Sequence, residues 1–123
     1  MTSLALAAVQ QPGFSASASE AERTIVVRLS GTADGLAHPH LDRYLKALHE
    51  AACRLGTPHV DVDLRELQFI NSSCLMLFVT WLTWLRDLEG GRQYRVTLSS
   101  SSKQQRRSFA VLANVALGLV TVQ

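Results

Sequence analysis

Several things are scarce in this chain of 123 residues. It has two cysteines, Cys53 and Cys74. That is too few for a disulfide framework, and without other sulfur ligands they make no zinc signature. Net charge is small: 12 Lys and Arg against 10 Asp and Glu leave +2, which gives little support to general DNA or RNA binding. Apolar runs are short. The most apolar, Cys74 to Leu85, is interrupted by Thr80 and Thr83 and is too short to span a bilayer. Met1 to Gln11 lacks a positive segment and carries only a brief apolar stretch, so no signal peptide is read there. These absences predict a soluble protein of the reducing cytoplasm, with no membrane insertion and no nucleic-acid partner. What is present is an apolar fraction of 47%, ordinary for a globular protein and against disorder. The length suits one domain with a single core, and neither a repeat nor a linker divides it.

Strand and helix patterns alternate. Leu4 to Val9 and Phe14 to Ser19 read as weak strands around a Pro12-Gly13 turn. Thr24 to Ser30 is β-branched and alternating, a clear strand, and Gly31 to Gly35 reads as a loop. Leu41, Tyr44, Leu45, Leu48, Ala52 and Leu55 form one helical face, ended by Gly56 and Pro58. His59 to Leu64 is a short strand. A helix follows from Ser72 to about Leu88, ended by Gly90-Gly91. Gln93 to Leu98 is a strand, Ser99 to Ser102 a loop and helix cap, and Lys103 to about Asn114 a third helix with Phe109, Leu112 and Ala116 inward. Leu119 to Val122 is a last strand. Strands separated by helices imply parallel pairing through crossovers. The expected fold is α/β, a mixed and mostly parallel sheet of four to six strands with about three helices. Residues 1–23 would be an N-terminal extension and 24–122 the core of one domain.

The chemistry-bearing stretch is Val60-Asp-Val-Asp-Leu64 followed by Phe69-Ile-Asn-Ser-Ser-Cys-Leu75. It delivers two hydroxyls, Ser72 and Ser73, to a helix N-terminus. Backbone N–H groups are unpaired there and the dipole favours negative charge, which suits a phosphate, bound or covalently attached. Asn71 or Ser72 would also serve as an N-cap, and the two roles are compatible. The helix is apolar nearly all round. Leu75, Phe78, Val79, Leu82, Leu85 and Leu88 are expected to face the core, and Met76, Thr80, Thr83 and Asp87 the opposite side. Leu77, Trp81 and Trp84 fall at a border. Aromatic residues and Met are enriched at interfaces, so Met76, Trp81 and Trp84 are expected partner contacts.

The run from Val60 to Leu75 resembles the central motif of STAS domains, the fold of bacterial anti-sigma-factor antagonists. The matching features are Asp63-Leu64, Phe69-Ile70, Ser72-Ser73 and Leu75, and the element order agrees over roughly residues 24–122. Asn71 stands where the family usually has Asp, and Cys74 where it usually has Gly, marking a divergent member. The resemblance implies a non-catalytic bacterial regulator with no cofactor. Its partner would be an anti-sigma-type serine kinase, with a phosphatase reversing the modification. By position the phosphorylated residue would be Ser72, alternatively Ser73. Asn71, Ser73, Cys74, Met76, Trp81 and Trp84 would meet the partner. The alternative is a constitutive adaptor subunit, for example of a transporter complex, without phosphorylation.

Other constellations carry less. His38-Pro-His40, with His49 a helix face away, lacks a clear third metal ligand. Asp61 and Asp63 share one side of a strand, but Asp63 is accounted for by the strand-end motif. Cys74 as a nucleophile would need a base such as His59. Ser72 as a hydrolase nucleophile lacks the Gly-x-Ser-x-Gly elbow. The loop Ser99 to Ser102, followed by Lys103, Arg106 and Arg107, could meet a phosphate or an acidic partner, against the plainer reading of a solvated basic face.

Overall fold

The computed structural model of the chain describes Thr2, Ser3 and residues 6–123. Among the described residues seven strands form one mixed sheet: β1 (Thr2–Ser3), β2 (Val9–Gln11), β3 (Phe14–Ala21), β4 (Thr24–Ala33), β5 (His59–Ile70), β6 (Arg95–Ser99) and β7 (Val120–Val122). Three helices lie between them: α1 (His38–Leu55), α2 (Ser72–Arg86) and α3 (Lys103–Ala110), with 3-10 turns at Gly90–Arg92 and Val111–Asn114. The order across the sheet is β1-β3-β4-β5-β6-β7, with β2 beside β1 on the same edge of β3. Strands β4 to β7 are parallel to one another, as the intervening helices require, and β3 joins β4 as an antiparallel hairpin.

Register sorts the side chains into two faces. Ile25, Val60, Val96 and Val120 lie in one row across β4 to β7, and Val27, Val62, Leu98 and Val122 in the next. Their face joins Leu41, Leu48, Phe78, Leu82 and Phe109 from the helices in one core cluster. The opposite face is polar. One of its rows runs Ser19, Val26, Asp61, Thr97, Thr121, and the next Ser17, Arg28, Asp63, Ser99. A sheet packed on one side and wet on the other produces this alternation.

Three strands run further than their periodicity announced. β5 continues to Ile70 rather than stopping at Leu64, because two irregularities in its ladder with β4 break the alternation. After the first, Leu67 turns back to the core. β4 likewise continues through Gly31 to Ala33, where a loop was expected. β3 reaches Ala21 and turns at Glu22-Arg23, both with positive φ (51° and 66°), a turn geometry that usually recruits Gly or Asn. In the expected strand Leu4 to Val9, only Val9 is found in strand among the described residues; Leu4 and Ala5 lie outside them. α3 ends at Ala110 and tightens into the 3-10 turn.

Candidate functional site

The end of β5 and the start of α2 build the site. Ala33 and Ile70 are the last paired residues of β4 and β5, and Asn71 N–H then donates to the Ala33 carbonyl (2.9 Å). Asn71 is the N-cap of α2. Its backbone is extended (φ −84°, ψ 171°), and its Oδ1 accepts from the Cys74 N–H (2.9 Å) and the Ser73 hydroxyl (3.1 Å). An Asn cap of this kind is worth about 1 kcal/mol.

The two serines therefore differ. Ser73 spends its hydroxyl on the cap. Ser72, the first helical residue, is exposed, and its hydroxyl has no partner among the described residues. The backbone N–H groups of both sit in the first turn, where no intrahelical acceptor exists. The helix dipole adds partial positive charge at the same point.

Cys74 faces inward. It is 0% exposed and its Sγ donates to the Asp34 carbonyl at 3.4 Å, tying α2 to the loop between β4 and α1. Burial, and then the Asp34 charge, push its thiol pKa up. Both features oppose thiolate formation, and the candidate base His59 is elsewhere. His59 lies on the polar sheet face, its Nε2 at 2.8 Å from Thr97 Oγ1 and 3.4 Å from Asp61. The expectation that Cys74 meets the partner is corrected on these grounds: its side chain has no accessible surface to offer.

Trp81 is corrected too. It is 0% exposed, and its indole N–H donates to the buried Tyr94 hydroxyl at 2.8 Å. The core stripe of α2 is Cys74, Phe78, Trp81, Leu82 and Leu85, rotated from the expected one so that Trp81 is central and Leu75 and Val79 are half-buried. Trp84 stays half-exposed beside His49, ring centroids 5.8 Å apart. Met76 is 57% exposed on the first turns of α2.

Two exposed apolar residues were not anticipated as surface contacts. Phe69 stands two residues before Asn71 and is 54% exposed; Leu36, two residues after Asp34, is 84% exposed. An isolated apolar residue beside glycine in a loop is the only sequence signal Leu36 offered. A cavity of about 320 Å³ opens beside Phe69 and Ile70, across from Ser101, Gln104 and Ser108. A second, of about 290 Å³, lies between the Pro12-Gly13 turn and Leu36.

The remaining candidates are dispersed. His40 meets Arg43 (3.2 Å) and His49 meets Tyr94 (2.7 Å). Among the described residues no three His, Cys, Asp or Glu side chains gather as a metal site would need. Asp63 is ion-paired with Arg65 (2.9 Å), whose hydrogen bonds hold its carboxyl below the usual range. Among the described residues no helix is long and apolar enough to cross a membrane.

Solved structures share this architecture. An anti-sigma factor antagonist from Mycobacterium paratuberculosis superposes with a TM-score of 0.62 at 16% identity, over 92% of this chain and 90% of that one. The anti-sigma factor antagonist SpoIIAA, in its unphosphorylated form, gives 0.57 at 21% identity, over 88% and 87%. The fold is therefore that of anti-sigma factor antagonists, the STAS fold, in a chain of low sequence identity to both. No protein-family model matches the sequence, and no curated protein matches it significantly.

Proposed function

We propose that the chain is a non-catalytic regulatory protein that binds a signalling partner through the surface around Ser72 and is released when Ser72 is phosphorylated. The observation that carries this reading is the exposed, unpartnered Ser72 hydroxyl at the first position of α2, beside a neighbour whose hydroxyl is already engaged. Leu36, Phe69 and Met76 supply exposed apolar surface nearby. The partner would be a serine kinase of the anti-sigma type, with a phosphatase restoring the free hydroxyl. The shared fold supports the class.

The energetics need nothing long-range. A phosphate adds about −1.5 to −2 charges near neutral pH. The start of α2 tolerates them, because its free N–H groups and dipole face the same way. A partner packed on Phe69 and Met76 would instead have to desolvate a dianion, which costs several kcal/mol. A loss of about 2.7 kcal/mol already weakens binding a hundredfold.

The test is the intact mass of the protein purified from its own host, followed by site mapping and by binding of the co-purifying partner to Ser72→Ala and Ser72→Asp. A phosphate on Ser72, with binding kept by S72A and lost by S72D, is the expected result. Equal binding by the two variants, with no phosphate under any growth condition, would leave a constitutive adaptor instead.

A further inference from the structure

The two segments that build the site carry almost no charge. From Leu67 to Leu85 there is no acidic or basic residue, and from Gly31 to Ala37 the only one is Asp34. Asp34 gives one carboxylate oxygen to the N–H groups of Leu36 and Ala37 (3.1 and 3.3 Å). A phosphoryl group on Ser72 would therefore meet no Lys or Arg within these segments. Whatever holds it there must be a neutral hydrogen-bond donor.

Such donors are present. The hydrogen bonds of Asn71 decide which way its side-chain amide points. One amide atom accepts from the Cys74 N–H and the Ser73 hydroxyl (2.9 and 3.1 Å), so that atom is the oxygen, Oδ1. The other is the NH2 group, and it has no acceptor among the described residues. The N–H groups of Cys74 and Leu75 are taken by the side chain and the carbonyl of Asn71. Those of Ser72 and Ser73, in the first turn of α2, have no intrahelical acceptor. The exposed Ser72 hydroxyl thus has an unengaged amide donor on the residue before it, an unengaged backbone N–H on the residue after it, and no carboxylate on either.

We infer that Asn71 is a positioning residue for the phosphoryl group: its Nδ2 donates to a phosphoryl oxygen on Ser72, and its neutrality lets the start of α2 hold a dianion. The inference rests on the reading of Ser72 as the modified residue and adds what keeps the modification in place. Cap strength does not select Asn, because Asn, Asp and Ser cap about equally well. The three differ once a phosphate arrives. Asp at this position would set a carboxylate beside the dianion, with no cation in either segment to offset the repulsion. Ser would keep an acceptor for the Cys74 N–H and lose the amide donor. Asn alone of the three combines the acceptor that caps the helix with a donor that meets the phosphate. It thereby favours the phosphorylated, released form.

The test uses the whole chain with phosphoserine installed at position 72 by semisynthesis, in wild type, Asn71→Asp and Asn71→Ser. Phosphorus NMR follows the second ionisation of the phosphate, which lies near pH ~6 in an unconstrained chain. In the folded wild type its midpoint should fall below that of the same chain in urea. N71D should raise it by about 0.5 pH or more, a threefold change in the ionisation constant, and N71S should lie between. The side-chain NH2 resonances of Asn71 should move with the same midpoint. Without the phosphate, all three chains should unfold at the same urea concentration, which checks that each cap is formed. Asp34, His38, His40 and the buried Cys74 are the other titratable groups on the segments packed around the site. Imidazoles titrate in the same range as the phosphate, so the comparison is repeated in His38→Gln/His40→Gln, where the gap between Asn71 and N71D should persist. Equal midpoints in wild type and N71D, Asn71 resonances that ignore the phosphate, or a gap that vanishes with the histidines would each overturn the inference. Because the phosphoserine is built in, no host kinase enters the result. Protein from its own host without phosphate would sink the switch alone, and equal midpoints beside a phosphate mapped to Ser72 would sink only the role of Asn71.

Discussion

At the scale of single residues, the site depends on which polar atoms are already engaged. Asn71 keeps one feature of a carboxylate cap, an oxygen that takes the Cys74 N–H, without its charge. Cys74 fills the inward position and meets Asp34, so the departure from glycine there is a packing solution rather than a reactive thiol. Of the hydroxyl pair, only Ser72 is left over. The serine pair and its helix start were legible in the sequence because the strand, cap and helix signals coincide there. Trp81 was not legible, since α2 is apolar nearly all round and its pattern names no single buried stripe. A buried indole also needs an acceptor, and that acceptor, Tyr94, lies 13 residues away, beyond the reach of helical periodicity. The same Tyr94 hydroxyl can donate to His49 Nδ1 only while that nitrogen is unprotonated. Burial lowers the His49 pKa from 6.5. A folded-state pKa below the unfolded one means the unfolded chain binds the extra proton first, so stability is full above 6.5 and declines as pH falls toward the folded value. Urea titrations across that window should show the decline, and His49→Gln should flatten this part of it. An identical slope in wild type and variant would refute the assignment.

At the scale of elements, the two central strands are shaped by their ends. The hydrophobic alternation of Val60, Val62 and Leu64 stops where the first irregularity of β5 begins, so period-two reading sees a strand of six residues in one of twelve. The cap at the start of α3 was legible in the serine run Ser99 to Ser102; that Gln105 donates to two β5 carbonyls needs the tertiary fold. The Glu22-Arg23 turn was illegible because neither residue type signals positive φ. Gly31 is the clearest backbone requirement. It pairs with Phe14, has φ +88°, and a Cβ there would collide with the Gly13 carbonyl oxygen, which also accepts from Thr32 N–H at 2.7 Å. Gly31→Ala should therefore cost more than about 1 kcal/mol in chemical denaturation. Gly35→Ala, in open space without positive φ, should lie within about 0.5 kcal/mol of wild type. Equal effects at the two glycines would contradict this account of the β3-β4 contact.

At the scale of the whole molecule, the sheet is packed on one face and its stability is graded from centre to edges. β4 and β5 each have partners on both sides, and their inward residues Ile25, Val27, Leu29, Val60, Val62 and Leu64 are all buried. β1 and β2 are two and three residues long, on the outer edge of β3, and β7 is an edge of three. Amide exchange follows such gradients, because edges and ends open locally while central strands require global unfolding. The site hangs from the far ends of β4 and β5, so a charge placed on Ser72 acts at the surface of the most firmly held pair of strands. Exchange measured by mass spectrometry or NMR should therefore find the amides of Val27 and Val62 among the slowest and those of Val9 to Gln11 among the fastest. In S72D the central rates should be unchanged, with differences confined to the start of α2 and the loop carrying Asp34 and Leu36. Were the phosphomimetic instead to speed exchange throughout β4 and β5, the negative charge would be loosening the fold itself, and the switch could not be the local surface event that the exposed Ser72 hydroxyl and the cap at Asn71 support.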